Sequence, residues 1–527
     1  MNSLQHSCTV LPSPFQDDKE EKVGEAANES KEEDKSTDDA SASKLMPEFS
    51  LVHHLEMAGL GEGSKMLYMR EASQALFDAL TKNAATLLVE GPPGTGKSIL
   101  TWYWASEIAL KTDITVCWIH VVPTGVVKAC MLGSNKVFRY RTISRLANAQ
   151  LFIEGSDADV VIVDGMTEEN RSQLMPVALN CRTLNPEISV VFVTSAQIRL
   201  PVQVLRQDRI EIHKVPSWTL AEYQAACENE KFFDEVKENL SEDENFDEKI
   251  TGKYFYAGGS ARWMFALNVT EVIEDAFSSL SKVTDMNLLL SGLQGSKSGT
   301  SVNHLLQQDL EGKTFIVSEY VLRQLVSKCE TRFIREATSY SYQLHNPSFD
   351  GWIFELDFLF QLRLVEKGIL TIRNGQQDEI WQVSRRIPFH KEDELKGKKI
   401  KEHGKPEVHE NKMGLQPGDW LLPQRWNQGC YDAVQILPQS PNVPTNFHIG
   451  VRFVQVTRGE SHSLKLRYPR ALLLTLACIG FVVQSVDIVV LRPLGNPHVK
   501  ITQPEGELLN WGWDPKLIRQ LELRRSQ

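Results

Sequence analysis

Apolar positions along the chain fall into two regimes. Between about residues 85 and 195 they come as short unbroken runs: 85–90 (ATLLVE), 114–122 (ITVCWIHVV), 158–164 (ADVVIVD) and 189–195 (SVVFVTS). Runs without alternation predict strands covered on both faces, which is the habit of a parallel sheet. Helical spacing marks 68–80, 98–110 and 142–150. Strands and helices in alternation predict a doubly wound α/β domain, with ligands at the carboxyl ends of its strands. Beyond Pro216 the pattern turns helical. It runs from Ser217, past an acidic interruption at 241–248, to about Val283, and reads as a small helical lid. Residues 286–345 read as a mostly helical connector, and 346–527 alternate helix and strand signals again. The most apolar stretch, 471–483, is too short for a bilayer and lies between Arg470 and Asp487, so a buried helix followed by a strand is expected there and no membrane partner.

Charge changes the picture at the two ends. Residues 1–45 hold 11 acidic and 5 basic residues with few large apolar ones, the composition of a disordered acidic tail. Residues 346–527 hold 24 basic against 20 acidic residues, so the C-terminal part is the mildly basic portion of a chain with net charge −11. That sign suits a polyanion partner there. The predicted organisation is therefore a tail (1–45), an NTPase core (46–215), a lid (216–285), a connector (286–345) and a second α/β domain (346–527). The 8 cysteines form no C-x-x-C pair, which disfavours zinc ribbons and disulfide frameworks and points to a reducing compartment. Met1 to Val10 lacks a basic segment followed by a long apolar run, so no ordinary signal peptide is expected.

The candidate chemistry begins with Gly91-Pro92-Pro93-Gly94-Thr95-Gly96-Lys97-Ser98, which fits G-x-x-x-x-G-K-[ST]. It lies between a predicted strand and a predicted helix. That placement aims backbone N–H groups and a helix N-terminus at a phosphate. Lys97 is expected on the β/γ-phosphates of ATP or GTP, and the Ser98 hydroxyl on Mg²⁺. Asp164, ending the run VVIVD, is the expected carboxylate partner of that Mg²⁺. Hydrolysing enzymes of this type carry a glutamate directly after that aspartate; here the position is Gly165. Glu168 or Glu169 could act from the following turn, and slow hydrolysis or nucleotide switching is expected. Thr194 or Ser195 sits where a hydroxyl would sense the γ-phosphate. Arg262, after the double glycine of 258–259, could reach the nucleotide from the lid. Arg171 and Arg182 are the arginines available to complete a neighbouring site in a homo-oligomer.

A second constellation lies in the last third. Glu355 sits in the apolar helix of 351–362 and needs a partner or a metal. Asp432 opens a strand, Gln455-Val456-Thr457 closes the next, and Lys465 begins the helix-like segment beyond. Metal-dependent phosphodiesterases use carboxylates and a neutral oxygen to hold Mg²⁺ and a lysine to stabilise charge. Helix Glu, strand Asp, [E/Q]-x-[K/T], then Lys is the order of the restriction-endonuclease-like fold. Glu355, Asp432 and Gln455 are the expected metal ligands, with Thr457 and Lys465 completing the site. The basic run 396–401 is either a phosphate contact, a nuclear-import signal or a solvated loop.

Both constellations in this order resemble the Crinkler and retrotransposon-hot-spot group. The resemblance rests on 91–98, on 160–165, on 256–262 (YAGGSAR), and on Glu355, Asp432 and 455–457, and spans about residues 66–490. It implies a P-loop NTPase of the ASCE class, STAND- or AAA-like, with a helical lid, fused to a restriction-endonuclease-like α/β nuclease domain. It further implies ATP or GTP and Mg²⁺ as cofactors, double-stranded DNA as partner, and an effector acting in the nucleus, often that of a host cell. The ubiquitin-like N-terminal module and translocation motif of secreted Crinklers are not recognisable in residues 1–45. The alternative is a nucleotide-switched scaffold whose second domain grips DNA or a protein without cutting. A small-molecule kinase leaves the second constellation unexplained.

Overall fold

The computed structural model describes residues 9–10 and 48–524, apart from 83–85, 123–124, 134–136, 144–145, 196–199, 243–244, 284–288, 290–300, 329–336, 338–346, 366–367, 390, 401–406, 425–429, 438–447 and 503–505. The expected tail, 1–45, lies outside the described residues except at 9–10, as does much of the connector. The chain divides into two compact units. One comprises Met1–Asn239, Gly259–Glu271 and Gly292–Thr314; the other comprises Leu240–Gly258, Val272–Ser291 and Phe315–Gln527.

The first unit is built on β1 (Thr86–Gly91), α1 (Lys97–Lys111), β2 (Val116–Val121), β3 (Val127–Leu132), β4 (Val137–Ile143), α2 (Leu146–Glu154), β5 (Val160–Met166), α3 (Glu168–Leu184), β6 (Ser189–Ser195) and β7 (Ile210–Lys214). The strand order is β4-β3-β2-β5-β6-β1-β7, with Thr9–Val10 paired antiparallel outside β4. Five neighbours, β2, β5, β6, β1 and β7, run parallel. One strand, β6, separates the loop-bearing β1 from β5. Alternate residues feed opposite faces, as the two-residue period of a strand requires. Leu87, Val89, Trp118, Ile162 and Val193 pack with Trp102 and Trp104 of α1, whereas Leu88, Ile119, Val161 and Phe192 pack with Ala149 of α2 and Leu174 of α3.

Two expectations need correction here. The sheet is mixed, because β2, β3 and β4 form an antiparallel meander. Val122 N–H donates to Val126 O and Gly125 N–H to Val122 O, so the chain turns tightly and cannot make the long crossover that a parallel neighbour needs. Thr142 and Ile143 end β4 rather than opening a helix, consistent with β-branched side chains on a pleated edge.

The described residues between 217 and 283 are largely helical, and they change unit between Asn239 and Leu240, between Gly258 and Gly259 and between Glu271 and Val272. A Cβ on Gly258 would lie 1.6 Å from Val317 O, and one on Gly259 would lie 2.6 Å from Ser217 Cβ. Gly258 admits the backbone of Val317, and Gly259 admits the side chains of Gln307 and Ser217, closer than a Cβ would allow. The connector contains the short strands Leu306–Gln308 and Thr314–Ile316 as well as helix.

The second unit contains α4 (Phe246–Ala257), α5 (Glu319–Lys328), α6 (Pro347–Leu364), β8 (Gly368–Asn374), β9 (Gln377–Val383), β10 (Arg386–Phe389), β11 (Trp420–Pro423), β12 (Ala433–Leu437), β13 (His448–Val456), α7 (Arg467–Cys478), β14 (Val482–Pro493) and β15 (Arg519–Leu523). Its sheet order is β9-β8-β15-β14-β13-β12-β11-β10. β11, β12 and β13 are successively antiparallel, while β13, β14 and β15 run parallel. Phe354, Phe358 and Leu362 of α6 pack on Val454, Val456 and Val489, whereas Leu472, Leu473 and Leu476 of α7 pack on Val451, Phe453 and Ile488. The expected helix and strand of 471–483 are α7 and the start of β14. The basic run is a strand, Lys396–Ile400, paired with Val408–Asn411, and not a loop; Lys401 lies outside the described residues. Among the described residues no helix is long and apolar enough to cross a membrane.

Candidate nucleotide site and carboxylate cluster

The loop between β1 and α1 is shaped by its glycines. Gly94 and Gly96 hold φ of +81° and +93°, a backbone conformation that favours glycine, and Gly96 caps α1. Gly91 admits the backbone of Val215, whose O would lie 2.3 Å from a Cβ there. Lys97 is buried, and its Nζ donates to Gly91 O (2.8 Å), Pro92 O (2.7 Å) and Thr95 Oγ1 (3.2 Å). Ser98 Oγ donates to Asp164 Oδ1 at 2.8 Å. A hydroxyl and a carboxylate oxygen side by side are the hard donors that Mg²⁺ takes, so the residues fit the ion.

Burial pushes the Lys97 ammonium down to about 7; Asp164 favours the charge, and Arg262 and Arg70 oppose it. Below pH 7 the folded and unfolded chains both hold the proton, and the desolvation cost is present in full. As pH climbs from about 7 toward lysine's ordinary 10.5, the unfolded chain keeps a proton that the folded one has shed. Nucleotide-free protein should therefore gain stability across that window, and Lys97→Met should remove the gain. Chemical denaturation at pH 7 and pH 9 checks this; equal pH slopes in the two proteins would contradict it.

The remaining expected residues fall into place unequally. Arg262 is exposed at the start of a π-helical turn, and its Cβ would lie 3.3 Å from a Cβ on Gly94. Ala261 N–H donates to Gly94 O at 2.9 Å, so the 259–262 segment rests on the phosphate loop. Thr194 donates its one hydroxyl proton to Met166 O at 2.8 Å, with Ser195 O at 3.2 Å, and would have to turn to meet a phosphate. Glu168 and Glu169 open α3, and their side chains lie outside the described residues. Arg182 binds Thr86 Oγ1 and Asp208 O inside its own unit, at the far end of β1 from the loop.

Gly165 has a structural cause. Its φ is +75°, the β5–β6 register shifts across it, and a Cβ would lie 2.4 Å from Val121 O. No glutamate fits there. Two residues escaped sequence reasoning. His120 Nδ1 meets Asp164 Oδ2 at 2.7 Å. Its only signal was one imidazole in an otherwise apolar strand. Arg70, 2% exposed, donates to Pro216 O (2.6 Å) and Ser217 O (3.2 Å), reaches Thr95 O (3.5 Å), pairs with Glu222 and lies over the Trp218 ring. Nothing in its local sequence marks it.

In the second unit Asp432, just before β12, and Gln455, on β13, meet. Gln455 Nε2 donates to Asp432 Oδ2 at 2.7 Å, and Val456 N–H donates to the same oxygen at 2.6 Å. Gln455 Oε1 is buried and has no hydrogen-bond partner among the described residues. Burial pushes the Asp432 carboxyl up to about 7, against the pull of Val456 N–H and Arg323. Glu355 has a partner the sequence did not reveal: Arg323 of α5, which also binds Glu319. Burial raises the Glu355 carboxyl well above the carboxylate range; Arg323 pulls it down and Asp432 adds to the rise. An orphaned amide oxygen beside a carboxylate fits a hard cation. Among the described residues no group of three or more His, Cys, Asp or Glu is arranged to hold a metal ion. Thr457 lies past the end of β13, where its Oγ1 accepts from Gly459 N–H. Lys465 is 3.6 Å from Glu248 of α4, which also pairs with Arg467. Among the described residues no hydrogen bond or ion pair joins Lys465 to Glu355, Asp432 or Gln455.

No known family's sequence model matches this chain, and no curated protein matches it. Solved structures do. A RuvB variant from Thermotoga maritima matches at 15% identity and TM-score 0.29, over 50% of this chain and 94% of that one. AMPPCP-bound DnaA from Aquifex aeolicus matches at 12% and 0.27, over 57% and 89%. PCH-2 from C. elegans matches at 11% and 0.22, over 47% and 69%. The strand order, the glycine loop and the Lys97, Ser98 and Asp164 contacts described above make the first unit a P-loop NTPase-like α/β fold.

Proposed function

We propose that the protein binds a nucleoside triphosphate with Mg²⁺ in its first unit and hydrolyses it slowly. The observation that carries this reading is the 2.8 Å contact of Ser98 Oγ with Asp164 Oδ1, beside a buried Lys97 whose ammonium is enclosed by loop carbonyls. Lys97 would neutralise the β/γ-phosphates, and Ser98 and Asp164 would hold Mg²⁺, which supplies charge neutralisation on the phosphates. Arg262 is placed to approach the same loop. The absence of a glutamate after Asp164 argues for slow turnover, because nothing at that position polarises water.

The second unit is proposed as a Mg²⁺-dependent nuclease domain of restriction-endonuclease-like architecture. Glu355, Asp432 and Gln455 would hold metal, and DNA would be the substrate. A helix bearing Glu355, then Asp432 just before one strand and Gln455 on the neighbouring strand, with a buried Gln455 oxygen that has no partner among the described residues, support this reading. The resemblance to the Crinkler group and the mildly basic C-terminal part add DNA and the nucleus to the proposal. A second reading, a scaffold with an inactive nuclease fold, is favoured by two observations: Arg323 already pairs with Glu355, and Lys465 lies beside Glu248.

Purified protein is titrated with fluorescent ATP and GTP in Mg²⁺, then incubated with supercoiled plasmid, Mg²⁺ and nucleotide. Saturable binding, with nicking that Asp432→Ala abolishes, is the expected result. Binding without nicking in Mg²⁺ or Mn²⁺ would assign the scaffold. No binding of either nucleotide would overturn the whole reading.

A further inference from the structure

Asp164 has two carboxylate oxygens, and both are engaged inside the first unit. Oδ1 accepts from Ser98 Oγ at 2.8 Å, and Oδ2 meets His120 Nδ1 at 2.7 Å. A carboxylate only accepts, so the proton of the second contact belongs to the imidazole and His120 is the donor. The sheet builds this contact. His120 on β2 and Asp164 on β5 are register partners of adjacent parallel strands. Both side chains are largely withdrawn from water, 14% and 2% exposed.

Position 59 leaves room beside the ring's other edge. A Cβ on Gly59 would come within 3.0 Å of His120 Cδ2 and 2.7 Å of Lys128 Cγ, so glycine there leaves the ring its place. Lys128, opposite His120 on β3, donates its ammonium to Thr142 Oγ1 at 2.9 Å. Meanwhile Gly165 closes the route by which a following glutamate could organise the same carboxylate.

We propose that His120 is a positioning residue of the nucleotide site. It fixes the Asp164 carboxylate so that Oδ1 faces Ser98 Oγ, the two oxygens that would hold Mg²⁺. A carboxylate free to rotate about its Cβ–Cγ bond would present that oxygen only part of the time. Partners behind a metal ligand orient it in this way, and their loss costs roughly 10–100-fold in metal affinity. The inference rests on the proposed Mg²⁺–nucleotide reading and deepens it.

The experiment measures fluorescent ATP binding to the full chain in EDTA and across a Mg²⁺ titration, for wild type, His120→Ala and His120→Asn. Asparagine places an amide N–H near the position of Nδ1. In EDTA the three proteins should bind alike. His120→Ala should need roughly 10–100-fold more Mg²⁺ for its half-maximal effect, and His120→Asn should stay near wild type. An unchanged Mg²⁺ requirement in His120→Ala would overturn the proposal. So would failure of asparagine to rescue, or an equal loss in EDTA, which would mean general damage to the loop. An unchanged requirement in His120→Ala beside a Mg²⁺-dependent wild type overturns this inference alone; wild type indifferent to Mg²⁺ overturns the Ser98 and Asp164 metal reading as well, and wild type that binds no nucleotide overturns the P-loop reading beneath both.

Discussion

Replacing Lys97 by alanine should lower nucleotide affinity by about 100-fold or more while leaving the fold intact. Each hydrogen bond from a charged group is worth about 1.5–3 kcal/mol, and about 1.4 kcal/mol is a factor of ten in affinity. Two such bonds to phosphate oxygens therefore set the scale. In the free protein the ammonium is satisfied by Gly91 O, Pro92 O and Thr95 Oγ1, so a phosphate competes with contacts already made. The same burial that lowers the Lys97 pKa makes the charge a cost to the empty fold, so the variant should melt no lower than wild type. Nucleotide titration beside a thermal melt reads both quantities. Full affinity in Lys97→Ala would mean that the glycine loop does not cradle phosphate.

The second large effect concerns repair of the missing glutamate. Gly165→Glu restores the usual acidic pair on paper, yet it should destabilise the first unit rather than speed hydrolysis. A side chain at φ +75° costs about 1–2 kcal/mol in the left-handed region, and here a Cβ would also lie 2.4 Å from Val121 O. The neighbouring atom is backbone of the adjacent strand, so neither partner yields without disturbing the sheet. A total near ~3 kcal/mol corresponds to a fall in Tm of about 6–12 °C for a domain of this size. Gly165→Ala should show most of the same fall, because the cost begins at Cβ. Wild-type stability in both variants, with faster turnover in the glutamate form, would show that Gly165 is a chemical choice and not a steric one.

The P-loop, the strand before it and the helix after it were legible because they are local: glycines at 94 and 96 and the lysine at 97 act within one turn of chain. Asp164 was legible for the same reason, as the carboxylate that breaks an apolar run, although the strand continues past it to Met166. The order Glu355, Asp432, Gln455 could also be read, since each sits at a visible break in apolar sequence. The partners could not. His120 meets Asp164 44 residues later, Arg323 meets Glu355 32 residues later, and Lys465 is drawn to Glu248 far earlier in the chain. A string of residues names these charges without saying which pairs the strand register and helix packing will bring within hydrogen-bond reach. The double glycine 258–259 shows the division most plainly. Two adjacent residues without a Cβ announce a close backbone approach, and that much is local. What approaches is set by packing: Val317 O in one unit and Ser217 in the other, because contacts between distant segments depend on how whole elements pack and not on local preference.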